Sequence, residues 1–339
     1  MASLELLKAG VVGPVIGALR SRGTDVTPLL AKARLPLIMA ERQMGLVPWV
    51  SALNFLDVVA RYTGDPLFSA NCILNAGGKR PNRVASVSLT RAPTAFESIR
   101  TFVMRTNAIT TGATITFTVS GNWMWILRRP NNPGNFDSWH AEQFVIATFV
   151  KAISSYFGQG WRPQKLKIRQ ATRPDNIPYQ WSETDIEAAN PHTAIGVKLV
   201  DIVSETSFDS ELAPPPDSSE QSRLEKPVIN DSASLRSAVL HYIEYEAASI
   251  KRVADAFGVS EKTFRRRLTA LDLSYAEMVD EARYKRALEL LKDANLSITE
   301  LALELGYGYP ENFTRAFRRR VGVTPSVYRK MMALEVQSK

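Results

Sequence analysis

Two stretches near the carboxyl end decide the fold: residues 250–268 read IKRVADAFGVSEKTFRRRL, and residues 298–317 read ITELALELGYGYPENFTRAF. In the first stretch, the apolar residues of VADAF recur at the spacing of one helix face, which predicts a short helix. Gly258 then suits a sharp turn, because glycine adopts a left-handed backbone easily. Ser260 is a capping residue type at the start of a second helix. The pattern predicts a helix-turn-helix.

The same pattern occurs twice. Gly306 follows Gly258 by 48 positions, and the second stretch again pairs a short apolar helix with a polar one. Between them, Tyr275 to Asp293 predicts an amphipathic helix of about 19 residues, which would be about 28 Å long. One turn of DNA is about 34 Å. A rigid spacer of this length could set two recognition helices into successive major grooves on one face of a duplex.

Each predicted second helix exposes a cluster of cations. Such a cluster is often no more than a solvated helix face. Two clusters, each on the second helix of a turn-linked pair, favour DNA binding over that interpretation. The cations are Lys262, Arg265, Arg266 and Arg267 in the first helix, and Arg315, Arg318, Arg319 and Arg320 in the second.

Composition divides the chain into three segments. The 339 residues are 45% hydrophobic and 22% charged, which excludes a wholly disordered chain. Residues 205–231 contain three successive prolines, several serines and many acids, which predicts a linker. We expect a domain over residues 1–204 and another over residues 232–339. The first segment has 22 basic and 13 acidic residues, and residues 230–339 have 18 and 15, so net charge alone does not identify the DNA-binding part.

The fold class expected is an α+β N-terminal domain followed by an all-α domain with two helix-turn-helix motifs joined by a long helix. In the first domain, alternation around Gly121 and Asn122 predicts a hairpin. Apolar spacing predicts helices over Ala9–Leu19, Val50–Arg61, Pro93–Thr106 and Phe136–Phe157, and further strands are expected over Lys165–Arg169 and Ala194–Val200. Seven C-terminal helices are expected to begin near Ser234, Ser249, Ser260, Ser274, Ser297, Pro310 and Thr324, and to form a closed apolar set.

The segment from about Leu235 to Arg329 resembles the AraC/XylS family of transcription regulators. The resemblance is carried by VADAFGVS, by EARYKRALELL and by ITELALELGY-x4-NFTRAFRRRVGVTPSVYR, with its closing G-x-TP-x2-YR string. It implies that double-stranded DNA and RNA polymerase are partners. We interpret the regulator as an activator.

The resemblance also assigns site residues. Pro310 occupies a base-reading position but departs from the polar residue often found there, and it can give only shape or methyl contact. The other base-reading positions are Lys262, Arg265, Arg266, Glu311 and Arg315. Cations later in each helix face phosphate, and these are Arg267, Arg318, Arg319 and Arg320.

The N-terminal part is similar to the arabinose-binding-type domain of one branch of this family. RGTDVTPLLAKARLP, VARYTGDPLF and HAEQFVIATFVKAI carry the likeness. It implies a domain that senses a small-molecule effector and forms a homodimer. Trp123, Trp125, Trp139 and His140 are candidates for the effector pocket, and core packing is the alternative interpretation. The sequence leaves the identity of the effector open.

Other chemistry lacks a pattern. Cys72 is the single cysteine, which argues against a cysteine zinc site and against an Ada-like repair methyltransferase. We find no phosphate loop and no nucleophile elbow, so we expect no enzyme activity, cofactor or metal. No apolar run reaches about 18 residues and no cleavage site is evident, so we expect a cytoplasmic protein without a membrane segment. An architectural DNA-binding protein without effector control remains the alternative.

Overall fold

The computed structural model describes most of the chain. The predicted linker over residues 205–231 lies outside the described residues. The described residues are 4–40, 42, 45–75, 94–132, 138–158, 160–203, 232–246 and 249–337. Among them, no helix has both the length and the apolar composition needed to cross a membrane.

The N-terminal part combines helices with two sheets, as the expected α+β class requires. A short antiparallel ribbon pairs β1 (Leu6–Lys8) with β2 (Leu46–Pro48). The helices are α1 (Gly13–Ser21), α2 (Thr27–Ala33), α3 (Trp49–Thr63), α4 (Phe68–Leu74), α5 (Ala95–Asn107), α6 (Trp139–Phe157) and α7 (Leu199–Val203).

The predicted first helix over Ala9–Leu19 is wrong in its start. Residues Ala9–Val12 form a tight 3-10 turn, and α1 begins only at Gly13. Pro14 explains this start, because proline favours the first turn of a helix and cannot donate a hydrogen bond within it.

The second sheet has five strands in the order β3-β4-β7-β5-β6, all neighbours being antiparallel except β5 and β6. The predicted hairpin is confirmed, since β3 and β4 pair from Ala113 opposite Pro130 to Ser120 opposite Trp123. Helix α6 is buried along most of its length, and its side chains join those of one sheet face in the apolar core. The strands are β3 (Ala113–Ser120), β4 (Trp123–Pro130), β5 (Lys165–Lys167), β6 (Asp185–Glu187) and β7 (Thr193–Lys198).

The C-terminal part is helical throughout its described residues, and its helix starts agree with the expected ones. The side chains of Ser249, Ser260, Ser274 and Ser297 each accept a hydrogen bond from the backbone three residues later, which caps the helix that follows. The helices are α8 (Ser232–Glu246), α9 (Ile250–Ala256), α10 (Glu261–Thr269), α11 (Tyr275–Leu290), α12 (Ile298–Glu304), α13 (Pro310–Val321) and α14 (Pro325–Gln337).

The predicted helix Tyr275 to Asp293 ends three residues early. Helix α11 has 16 residues, which corresponds to about 24 Å. The Asp293 side chain accepts a hydrogen bond from the Asn295 amide at 2.9 Å. This local turn competes with continuation of the helix.

The expectation that the C-terminal helices form a closed apolar set is wrong for their first half. The cluster formed by α8, α9, α10 and the first half of α11 also contains Leu6 and Leu46 of the N-terminal ribbon. A separate cluster joins the second half of α11 to α12, α13 and α14. Helix α11 is therefore shared by two cores.

Candidate nucleic-acid interface

The first helix pair, α9 and α10, is held together by an aromatic contact and a glycine turn. Gly258 has a φ of +67°, the left-handed conformation that the sequence predicts at the turn. The rings of Phe257 and Phe264 lie 5.4 Å apart, and Leu268 is buried one turn later. Packing of this face fixes the rotation of α10 and turns its basic face outward.

The basic face of α10 is exposed and partly paired. Lys262, Arg265 and Arg266 are exposed. The Arg265 guanidinium donates to Glu261 Oε1 through Nε at 3.0 Å and through Nη2 at 2.8 Å. This pairing engages two of the five N–H donors of the guanidinium, so Glu261 competes with any further acceptor for Arg265.

Arg267 lies in a different environment from the other cations of α10. It is half-buried and interacts electrostatically with Glu5, an N-terminal residue that is 7% exposed. Burial lowers the pKa of Arg267, with a further decrease from the Arg266 charge. Burial also raises the pKa of Glu5 to about 7, against the opposing effect of Arg267 and Arg128. The phosphate role of Arg267 stays a prediction.

The second helix pair, α12 and α13, repeats this construction. Ser297 and Glu300 form a reciprocal capping box at the start of α12, and Gly306 turns the chain with a φ of +76°. Phe313 and Phe317 are buried on the inner face of α13. Pro310 is the first residue of α13, a position that tolerates proline because no backbone donor is needed there.

Helix α13 presents its polar side chains outward. Glu311 and Arg315 are exposed, and Arg315 Nη2 donates to Asn312 Oδ1 at 2.6 Å. Arg318, Arg319 and Arg320 are exposed in the last three positions before Val321. The structure therefore exposes the predicted side chains Glu311, Arg315, Arg318, Arg319 and Arg320 to solvent, and Arg320 also lies against α11.

Sequence reasoning missed the aromatic and basic side chains beside α13. Arg320 lies over the Tyr284 ring at 4.3 Å, and Arg283 lies over the Tyr307 ring at 4.9 Å. With Arg319, they line a cavity of about 300 Å³ between α11 and α13. The signal available in the sequence was the Arg-Tyr pair at positions 283 and 284, which reads as an ordinary helix face without tertiary context.

The four candidates for an effector pocket lie in two places. Trp123 and Trp125 are neighbours on the outer face of the sheet, with ring centroids 6.3 Å apart. Trp139 donates to the Asn176 carbonyl at 3.0 Å, and the His140 ring contacts the Pro66 carbonyl at 3.2 Å. These contacts tie the first turn of α6 to neighbouring loops.

A cavity of about 740 Å³ opens beside Trp123. Of the four candidates, Trp123 is the one that lines it. Trp161 adds aromatic surface, Tyr179 adds aromatic surface that the sequence did not indicate, and Arg162 and Lys198 add positive charge.

Comparison with known proteins shows which proteins the C-terminal part is similar to. Residues 253–331 match a family profile described as "Helix-turn-helix domain". The uncharacterized HTH-type transcriptional regulator YfiF of Bacillus subtilis is 29% identical over 154 residues, 44% of this chain and 49% of that protein. The ornithine utilization regulator of Pseudomonas aeruginosa is 36% identical over 81 residues, 24% of each protein.

The chain thus spans about half or less of the length of these curated relatives. The crystal structure of transcriptional regulator CdpR from Pseudomonas aeruginosa aligns over 94% of this chain and 97% of its own, at 17% identity. Its TM-score of 0.37 is too low to establish a shared fold. The family profile, the HTH-type regulators and the matching G-x-TP-x2-YR string agree. Residues 253–331 thus form a helix-turn-helix domain of the AraC type, similar to the domains of these HTH-type transcription regulators.

Proposed function

We propose that α10 and α13 read two successive major grooves of a promoter or operator. The observation that supports this most is the repeated construction: each helix follows a glycine turn, buries two aromatic or aliphatic anchors and turns cations outward. Both helix pairs pack on α11, so one element sets their separation. The domain boundaries at residues 204 and 232 belong to this proposal.

In this proposal the early turns of each helix read bases and the later cations hold phosphates. Arginine can donate to two acceptors of guanine at once. Phosphate contacts carry charge without sequence information. The base-reading residues are Lys262, Arg265, Arg266, Glu311 and Arg315, and the phosphate contacts are Arg267, Arg318, Arg319 and Arg320.

The proposal also includes small-molecule control through the N-terminal part. The cavity beside Trp123 has a volume within the range of ligand sites, and it combines aromatic surface with charged groups. We expect the effector to bind there, the chain to act as a homodimeric activator and RNA polymerase to be contacted at the promoter. An architectural protein without effector control is the alternative, and it predicts no ligand for this cavity.

Selection from random duplex DNA with the purified full chain, followed by hydroxyl-radical footprinting, tests the DNA-reading proposal. We expect an enriched sequence in which each bound subunit protects two grooves about one helical turn apart, 10–10.5 base pairs. An Arg61→Ala variant, which removes an exposed cation from α3, is the control and should select the same sequence. Enrichment of no sequence, or protection of a single groove, would contradict the proposal.

A further inference from the structure

The N-terminal part contacts the turn of the first helix pair through hydrogen bonds and packing. Ser51 Oγ donates to the Ala256 carbonyl at 2.8 Å, in a buried position. Arg34 Nη1 donates to the neighbouring Asp255 carbonyl at 3.1 Å. The Val50 side chain lies against Gly258, where an added Cβ would be 3.4 Å from Val50 Cγ1. These contacts hold the end of α9 and the turn that leads into α10.

The N-terminal part also forms hydrogen bonds with α8. Tyr242 is fully buried, and its hydroxyl donates to the Arg34 carbonyl at 2.8 Å. The Glu246 carboxylate accepts from the Leu37 amide at 2.8 Å, and it also accepts from Arg252 Nε of α9 at 3.0 Å. Glu246 therefore joins the N-terminal part to both α8 and α9.

The fit between the two parts is close at the ribbon as well. Gly45 has a φ of +85°, and a Cβ there would lie 2.3 Å from Cε1 of His241, so the α8 side chain fills the space that glycine leaves. Leu6 and Leu46 of the ribbon complete the apolar core of the first helix pair. We call this whole surface the interdomain contact. On the N-terminal side it consists of Arg34, Val50 and Ser51, and on the C-terminal side of Tyr242, Glu246 and Gly258.

The apolar cluster of the second helix pair differs in composition from that of the first. Its apolar cluster begins at Tyr284 and, within the described part of the chain, includes no residue of the N-terminal part. The basic face of α10, with Lys262, Arg265 and Arg266, stays exposed while the turn behind it is held. The interdomain contact thus fixes α10 without covering Lys262, Arg265 or Arg266.

We infer that the N-terminal part positions the first recognition helix, so that the interdomain contact is a built-in part of the DNA-reading unit. Ser51 and Tyr242 are its positioning residues. In the described part of the chain, the apolar core of the second helix pair is linked to the first through α11, so we expect the second pair to adjust to DNA about this helix. This inference rests on the proposed function, since it assigns regulation to the same DNA-reading site: a change in the N-terminal part would act on one of the two grooves.

The full chain with Ser51→Ala and Tyr242→Phe together tests the inference. Ser51→Ala removes the hydrogen bond to the Ala256 carbonyl and Tyr242→Phe removes the one to the Arg34 carbonyl, each at nearly constant volume. Because α10 would lose its fixed orientation, we expect affinity for the selected duplex to fall by about tenfold, the order expected for the loss of two hydrogen bonds. Footprinting should show protection lost at one groove and kept at the other. Ser154→Ala, which removes a side-chain hydrogen bond to the Trp161 carbonyl, is the matched control and should change neither readout.

Hydrogen exchange without DNA gives an independent readout. Amides of residues 253–259 should exchange faster in the double variant, while those of 301–307 should not change. If the double variant fails to fold, Tyr242→Phe alone gives the same comparison. Unchanged exchange or increased DNA affinity would overturn the inference. Failure of the wild-type chain to bind any duplex would instead overturn the proposed function and leave the exchange result to decide the inference.

Discussion

Substitution of Arg265 and Arg319 should separate base reading from phosphate holding. In the free protein, Arg265 is paired with Glu261 in an exposed i,i+4 ion pair, which is worth about 0.3–0.5 kcal/mol. A bidentate contact to guanine discriminates by about 1–3 kcal/mol. Because Glu261 competes with the base for the Arg265 guanidinium, Arg265→Ala should cost roughly 0.5–2.5 kcal/mol on the matched duplex and relax preference at one base pair.

Arg319 should behave differently because its contact carries only charge. Arg319→Ala should weaken binding to all duplexes similarly and reduce the slope of log K against log salt by about 1. Fluorescence anisotropy with matched and singly mutated duplexes, across a potassium chloride series, measures both quantities. Glu261→Ala is an informative companion, because it releases Arg265 and should strengthen binding to the matched duplex. If Arg319→Ala changes base preference while Arg265→Ala lowers affinity uniformly, the assignment of these residues is wrong.

Three further outcomes follow from the structure. Burial raises the pKa of Glu5 to about 7, so its protonated form stabilises the fold at low pH. As the pH rises from about 5 to about 8, the denaturant midpoint of the wild type should therefore fall relative to that of Glu5→Gln, and parallel pH profiles would contradict this. A fragment of residues 232–339 lacks Leu6 and Leu46, whose burial contributes about 1.5–3 kcal/mol each. In this fragment, helices α8 to α10 should therefore unfold at a lower denaturant concentration than α12 to α14, and coincident transitions would contradict this expectation. A ligand found by thermal shift should lose its effect in Trp123→Ala but keep it in Trp139→Ala, and the reverse result would move the pocket to α6.

Local chemistry explains what the sequence could predict. The serine caps at Ser260 and Ser297 and the turn at Gly258 depend on residues within one helical turn, so pattern and propensity were enough. The hairpin at Gly121 is equally local. The separation of exposed cations from buried anchors in α10 and α13 followed from helical periodicity alone.

The interdomain contact could not be predicted in the same way. Tyr242 and Arg34 are 208 positions apart, and no local pattern marks either as a partner of the other. Arg34 also adopts a left-handed backbone, with a φ of +62°, which a non-glycine residue accepts when its surroundings hold it there. In the sequence, Trp123 and Trp139 were equally good candidates for a pocket. In the structure, strand pairing places Trp123 beside the cavity, whereas Trp139 is hydrogen-bonded to the Asn176 carbonyl.

Helix α11 links the two cores in a way that constrains how such a protein can change in evolution. Side chains through Ala282 pack with the first helix pair and those from Tyr284 pack with the second, so the transition falls at Arg283. A single residue inserted there would rotate α13 about the helix axis by about 100° and advance it by about 1.5 Å. Under the proposed function, α10 and α13 would then face different sides of the duplex. Insertions close to a whole number of turns, such as four or seven residues, come nearest to preserving their common phase. The spacing between half-sites can therefore drift only in steps, and each step must be matched by the length of this one helix.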